Sequence, residues 1–232
     1  MAKDVYAFSY KLRQEIYHKA LIIAGIVALC FLGIFLFRTF ICYPVHSATQ
    51  AMAPDIPVNS TTLVTPLFTT PHRGDVVLLR GRKEVKQHAA KRFVNFICRF
   101  ISAQQWAPFT SNVPTAAQMQ LRRVTGLPGD TIYLNNYVLY VKPKGESHFL
   151  TEFEITESKY TANIGAVPLQ WDGELGLKSK MELVELGADE YFVLSDNRLE
   201  GADSRLWGVV HKADISAKAL ILYFPLHKIR LF

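Results

Sequence analysis

Residues Leu121–Lys142 read LRRVTGLPGDTIYLNNYVLYVK. Leu127-Pro128-Gly129-Asp130 puts proline second and glycine third, the chemistry of a type II turn. On either side lie runs rich in β-branched and aromatic residues, which favour strands. Asn135-Asn136 separates the run at 131–134 from the run at 137–142. Asparagine tolerates positive φ, so 131–142 reads as a β-hairpin. Strand, tight turn and hairpin in succession set the class of this region as mainly β.

Similar runs occur at Thr61–Thr65, Asp75–Arg80, Met119–Thr125, Phe149–Ile155, Met181–Leu186, Glu190–Ser195 and Ile215–Phe224. The chain has 232 residues, half of them hydrophobic, which leaves ample material for a core and excludes a disordered protein. No internal repeat and no low-complexity tract interrupts the pattern.

The N-terminal part is different. Ala20–Phe37 is an uncharged run, ALIIAGIVALCFLGIFLF, extended past Arg38 by apolar residues to Tyr43. A hydrocarbon core of ~30 Å needs about 20 helical residues, so 20–43 is expected to be a transmembrane anchor. No polar face exists to suit a helix on a soluble core. A cleaved signal peptide ending near Val45-His46-Ser47-Ala48 is the rival, although its apolar segment would be shorter. Residues 1–19 carry Lys3, Lys11, Arg13 and Lys19 against Asp4 and Glu15. The positive-inside rule therefore places 1–19 in the cytoplasm and 44–232 outside the cytoplasmic membrane as one extracytoplasmic domain.

The net charge of +6 is localised. Residues 1–19 contribute +2, Arg38 +1 and residues 83–101 +4, leaving the remainder at −1. A nearly neutral globular part argues against nucleic acid as a partner. Within the basic segment, Val85, Ala89, Phe93, Phe96, Ile97, Phe100 and Ile101 fall on one helical face. Residues 84–101 are thus expected to form a basic amphipathic helix lying in the lipid interface, the alternative being a helix packed on its own domain. The insertion as a whole spans 83–115.

The three cysteines, Cys30, Cys42 and Cys98, are too few for a disulfide scaffold. Free thiols are expected, with Cys42–Cys98 as the one pairing an oxidising space would allow. The histidines at 18, 46, 72, 88, 148, 211 and 227 show no metal-ligand spacing, and no glycine-rich phosphate loop occurs. Neither a metal nor a cofactor is expected.

Four blocks carry a resemblance. They are Ala48-Thr49-Gln50-Ala51-Met52-Ala53-Pro54, Arg73-Gly74-Asp75-Val76-Val77, Leu121 to Asp130, and Ser195-Asp196-Asn197-Arg198-Leu199-Glu200-Gly201-Ala202-Asp203-Ser204-Arg205-Leu206-Trp207-Gly208. In this order, behind an apolar N-terminal helix, they resemble the type I signal peptidases, which remove signal peptides from exported proteins with a serine–lysine dyad. The resemblance implies a single N-terminal anchor followed by a β domain. It also implies a groove for an extended peptide near Met52 and Pro54.

The chemistry the resemblance implies is missing at three positions. The family's nucleophilic serine falls on Ala51, whose methyl group cannot attack a carbonyl. Its general-base lysine falls on Arg122, and a guanidinium keeps its proton at ordinary pH. Its lysine-orienting serine falls on Gly201. Thr49 matches a hydroxyl that lines the oxyanion hole, and Asp196, Arg198, Asp203 and Arg205 match residues that brace the site. Ser47, four residues before Ala51, and Ser204 are the candidates for a relocated nucleophile. Adjacent residues on an extended segment face opposite ways, so His46 is poorly placed as a base for Ser47.

The resemblance therefore implies a non-cleaving family member that engages signal peptides of exported preproteins at the outer face of the membrane. An active paralogous signal peptidase is a further expected partner. The alternatives are an active peptidase cutting after A-x-A, with position 51 changed from a native serine or the nucleophile relocated, and a purely structural membrane anchor.

Overall fold

A computed structural model of the chain describes residues 2–68, 70–80, 119–157, 159–164 and 178–232, together with 90, 94, 95, 97 and 98. Nearly all of the basic insertion, and with it the expected amphipathic helix, lies outside the described residues. Two compact units divide the chain, 1–42 and 43–232.

The first unit is a single helix, α1 (Ala2–Phe40). Within it Glu15–Phe37 is long and apolar enough to cross a membrane. At 1.5 Å per residue this stretch is about 35 Å long, enough to cross a bilayer core of about 30 Å. Its leucines, isoleucines and phenylalanines are exposed rather than packed on protein.

The second unit is mainly β. Its strands are β1 (Tyr43–Ser47), β2 (Ser60–Thr65), β3 (Val76–Leu79), β4 (Gln120–Gly126), β5 (Thr131–Asn135), β6 (Val138–Lys142) and β7 (Leu150–Thr151). The short helix α2 (Glu152–Ile155) follows, then β8 (Met181–Glu185) and β9 (Glu190–Leu194). Next come α3 (Ser204–Trp207), β10 (Val210–His211), β11 (Ile215–Phe224) and β12 (Arg230–Leu231). Among the described residues, the larger sheet runs β1-β2-β11-β3-β4-β9-β10 with β12 on β11, and the smaller runs β7-β6-β5-β8.

Side-chain alternation explains the layering. On β3, Val76 and Leu78 join a cluster with Met52, Ile56, Val64, Leu121 and Leu222, while Val77 and Leu79 join another with Val124, Tyr191 and Val193. The larger sheet is thus buried on both faces, which is why β3 reads as four consecutive aliphatic residues. On β9, Phe192 and Leu194 turn away from Tyr191 and Val193 to meet Ile132, Leu134, Leu139 and Val141 of the smaller sheet. That contact packs the smaller sheet against β9 of the larger one.

The turn at 127–130 forms as its sequence dictates. Asp130 N–H donates to the Leu127 carbonyl at 3.1 Å, and Gly129 has φ +85°. The hairpin turn sits one residue later than expected. Asn135 pairs with Val138, and Asn136 and Tyr137 take the positive φ angles of 50° and 64°. The expected strand Phe149–Ile155 is also corrected. It pairs over two residues only, because the Glu154 carboxylate accepts the Thr151 N–H at 2.7 Å and hydroxyl at 2.8 Å, capping α2. Cys30, Cys42 and Cys98 are all free thiols, so the Cys42–Cys98 bridge is not formed.

Candidate functional site

A cavity of about 260 Å³ opens in the second unit where β1, the segment 48–52, the start of β4 and the loop before α3 converge. Its wall brings together Thr49, Ala51, Met52, Arg122 and Gly201, five positions singled out from sequence alone. Pro54, expected beside them in the groove, is exposed and not part of this wall. It follows a cis peptide bond in the turn that leads away from the cavity.

Each wall residue is positioned by backbone bonds. Asn197 N–H donates to the Ala51 carbonyl at 2.9 Å, tying the 48–54 block to the 195–208 block. Ala51 itself is buried, as is Met52. Thr49 is exposed at the rim, where its carbonyl accepts a long bond of 3.4 Å from the Ser47 hydroxyl.

Arg122 and Arg123 are neighbours on β4 with opposite fates. Arg123 pairs with Val76 in the register and Arg122 with Val77, so the two side chains leave opposite faces of the sheet. Arg123 grips Asp196 with two bonds, Nε to Oδ1 at 2.7 Å and Nη2 to Oδ2 at 2.6 Å, and also reaches Asp55 at 2.9 Å. Arg122 instead donates to neutral oxygens. Its Nε reaches the Ala202 carbonyl at 2.8 Å, Nη1 the Leu121 carbonyl at 2.5 Å and Nη2 the Gln120 side-chain oxygen at 2.6 Å. Burial lowers the Arg122 pKa to about 10, an effect partly offset by Asp203. At neutral pH the group is still a cation.

Behind the wall lies a set of buried ion pairs. Arg198 donates to Glu152 at 2.6 Å, and Glu152 also accepts from the Leu139 N–H and the Tyr160 hydroxyl. Burial and the Glu152 carboxylate together hold the Tyr160 phenol well above its ordinary pKa. Arg205 donates to both oxygens of Asp203, at 2.9 and 2.7 Å, and to the Arg198 carbonyl at 2.8 Å. Asp203 further accepts the Ser195 and Arg205 N–H groups. Burial pushes the Asp203 carboxyl up, but these bonds and the Arg205 charge outweigh it and leave its pKa below the usual carboxylate value. The four residues expected to brace the site, Asp196, Arg198, Asp203 and Arg205, are therefore buried structural pairs and not surface ones.

Sequence reasoning missed several members of this frame. Glu152 and Asp55 supply carboxylates from distant segments, and no local charge pattern announces them. Ser195 is a second omission. Its hydroxyl is fully buried, and among the described residues it has no hydrogen-bond partner. A Cβ built on Gly201 would lie 2.8 Å from that hydroxyl and 2.6 Å from the Ala51 Cβ. The Ser195 side chain thus fills the space that a side chain at 201 would need. Of the two candidates for a relocated nucleophile, Ser204 Oγ is buried and accepts the Val193 N–H at 3.0 Å. Ser47 lines the cavity. Among the described residues no group of His, Cys, Asp and Glu is arranged to hold a metal ion.

Comparison with known proteins shows the family. Residues 17–224 match the family model "Signal peptidase, peptidase S26". The chain is 30% identical over 217 residues to "Signal peptidase I P" of Bacillus subtilis subsp. natto, covering 91% of this chain and 90% of that protein. It is 24% identical over 209 residues to "Signal peptidase I" of Leptolyngbya laminosa, covering 88% and 78%. A crystal structure of a signal peptidase I from Enterococcus faecalis V583 aligns with a TM-score of 0.33 at 18% identity, over 65% of this chain and 97% of that one, a likeness too slight to support an assignment. With the family model spanning both units, and a relative aligned nearly end to end, the chain belongs to the type I signal peptidase family.

Proposed function

We propose that this chain is a membrane-anchored family member that holds the signal-peptide region of exported preproteins without cutting it. One observation carries the reading. At the position of the family's neutral lysine base stands Arg122, a buried guanidinium that donates from all three nitrogens and accepts nothing. A proton cannot pass to it from a nucleophile, and at the nucleophile's position Ala51 offers only a methyl group. A cavity at a sheet edge supports the binding half of the reading. Among the described residues β1 is the edge strand of the larger sheet and lines the cavity, an arrangement suited to adding an extended peptide as a further strand.

The apolar stretch of α1 supplies the anchor in this proposal. Lys3, Lys11, Arg13 and Lys19 keep residues 1–19 cytoplasmic, and the second unit meets preproteins on the far side of the membrane. There it assists an active paralogous peptidase.

The test is a cleavage assay on a preprotein in detergent micelles, paired with photo-crosslinking of the signal peptide to the full chain. Crosslinking at the cavity without cleavage supports the proposal. Cleavage after A-x-A by this chain overturns it, and the nucleophile is then to be sought at Ser47, the one serine lining the cavity among the described residues, or elsewhere.

A further inference from the structure

Among its described residues the second unit holds four buried arginines around the site, and three of them have a carboxylate within salt-bridge distance. Arg123 has Asp55 and Asp196, Arg198 has Glu152, and Arg205 has Asp203. Arg122 is the exception. Its three acceptors among the described residues are neutral, and its guanidinium carbon lies 5.9 Å from the centre of the Trp207 ring. A guanidinium carries five N–H groups, so Nη1 and Nη2 each keep one more to give. Among the described residues Arg122 is also the one lysine or arginine in the cavity wall. Among the described residues, the site therefore carries one positive charge with no carboxylate in direct contact.

Two more features favour an anion at this place. His46 lines the same cavity, and its Nδ1 is buried without a partner among the described residues. Glu200, the one acidic residue of the wall among the described residues, is exposed, so water screens its charge while that of Arg122 acts from the low-dielectric interior. Ala48, Ala51, Gly201 and Ala202 leave room for small side chains next to the guanidinium.

We infer that the cavity is a receptor for a peptide end, in which the free C-terminal carboxylate of a cleaved signal peptide rests on Arg122 with small residues before it. The inference rests on the binding reading above and deepens it: the same site grips the cleaved product more tightly than the uncut preprotein. A carboxylate suits this position better than an internal peptide carbonyl. It satisfies the remaining N–H groups and gives the guanidinium a direct counter-charge in one contact.

The experiment measures binding of three peptides to the full chain in micelles at neutral pH. One ends at A-x-A with a free carboxylate, the second ends there as an amide, and the third continues past A-x-A. The acid is expected to bind at least about tenfold tighter than the others, the range of a charge-assisted hydrogen bond. Arg122→Met should abolish that preference, and Arg122→Lys should retain part of it. The comparison of acid with amide needs no variant, so poor folding of Arg122→Met leaves the test intact. Equal affinity for all three peptides overturns the inference and leaves the binding reading standing. A preference that survives Arg122→Met also overturns it, since the carboxylate then sits elsewhere. No binding of any peptide overturns both.

Discussion

The Ser195 hydroxyl and the missing side chain of Gly201 compete for one place. A Cβ at 201 would fall 2.8 Å from Ser195 Oγ, closer than real Cβ atoms come to any neighbour, and Gly201 has φ +105°. The two positions are thus coupled although neither hydrogen-bonds the other. Gly201→Ser alone is expected to lower stability by about 1–3 kcal/mol through backbone strain and overlap. Ser195→Gly in the same chain should recover part of that loss. A urea-melt double-mutant cycle of the full chain in micelles checks this, and strictly additive effects would show that the two side chains do not share the space.

Glu152 neutralises Arg198, and both side chains are fully buried. Glu152→Ala strands the guanidinium in the interior and leaves the Leu139 N–H without its acceptor. A cost of about 3–5 kcal/mol is expected. Replacing the pair by Glu152→Leu and Arg198→Met should cost clearly less than the single change. Chemical denaturation of the three variants decides between this outcome and a pair of negligible worth.

Asp203 has a folded-state pKa below its unfolded value of about 3.9. Its contribution to stability is therefore complete above about pH 4 and is lost as pH falls through the lower folded-state value. Asp203→Asn should be markedly less stable than the parent at pH 7, with the gap narrowing in more acidic buffer. Urea midpoints across pH 7 to 3 measure the gap, and a constant difference would contradict the assignment.

All three cysteines are free thiols. Denatured without reductant, the chain should react with three equivalents of a thiol reagent, and prior reduction should not raise that number. One equivalent instead of three would reveal a bridge.

The fold was legible where local chemistry and tertiary pairing agree. Ile215–Phe224 reads as a long β-branched and apolar run, and it forms a strand between β2 and β3. The turn at 127–130 was equally readable, since glycine at its third position fixes the backbone there. Strand β1 was not, because Tyr43-Pro44-Val45 continues the apolar anchor and proline argues against a strand. Pro44 is tolerated because β1 lies at the sheet edge. The helix α2 was readable in principle from Thr151 and Glu154, a capping box hidden by the aromatic and β-branched residues around it. The hairpin turn slipped by one residue because Tyr137, bulky and buried, adopts positive φ, which no propensity anticipates.

The candidate site shows the same division. The alternating signs of Asp196, Arg198, Asp203 and Arg205 marked a charged frame, but not its pairings. Only Arg205 and Asp203 pair within that motif, whereas Asp196 and Arg198 find partners on β4 and α2. Contacts across such separations depend on how the sheets stack, and spacing along the chain does not encode that.

The opposite orientation of Arg122 and Arg123 on β4 has a wider meaning. A two-residue repeat sends one arginine to the frame and its neighbour to the cavity wall, so the part that keeps the domain folded and the part that decides its chemistry are insulated by a single peptide unit. Such a strand lets the cavity-wall residue vary without disturbing the pairing that holds the frame.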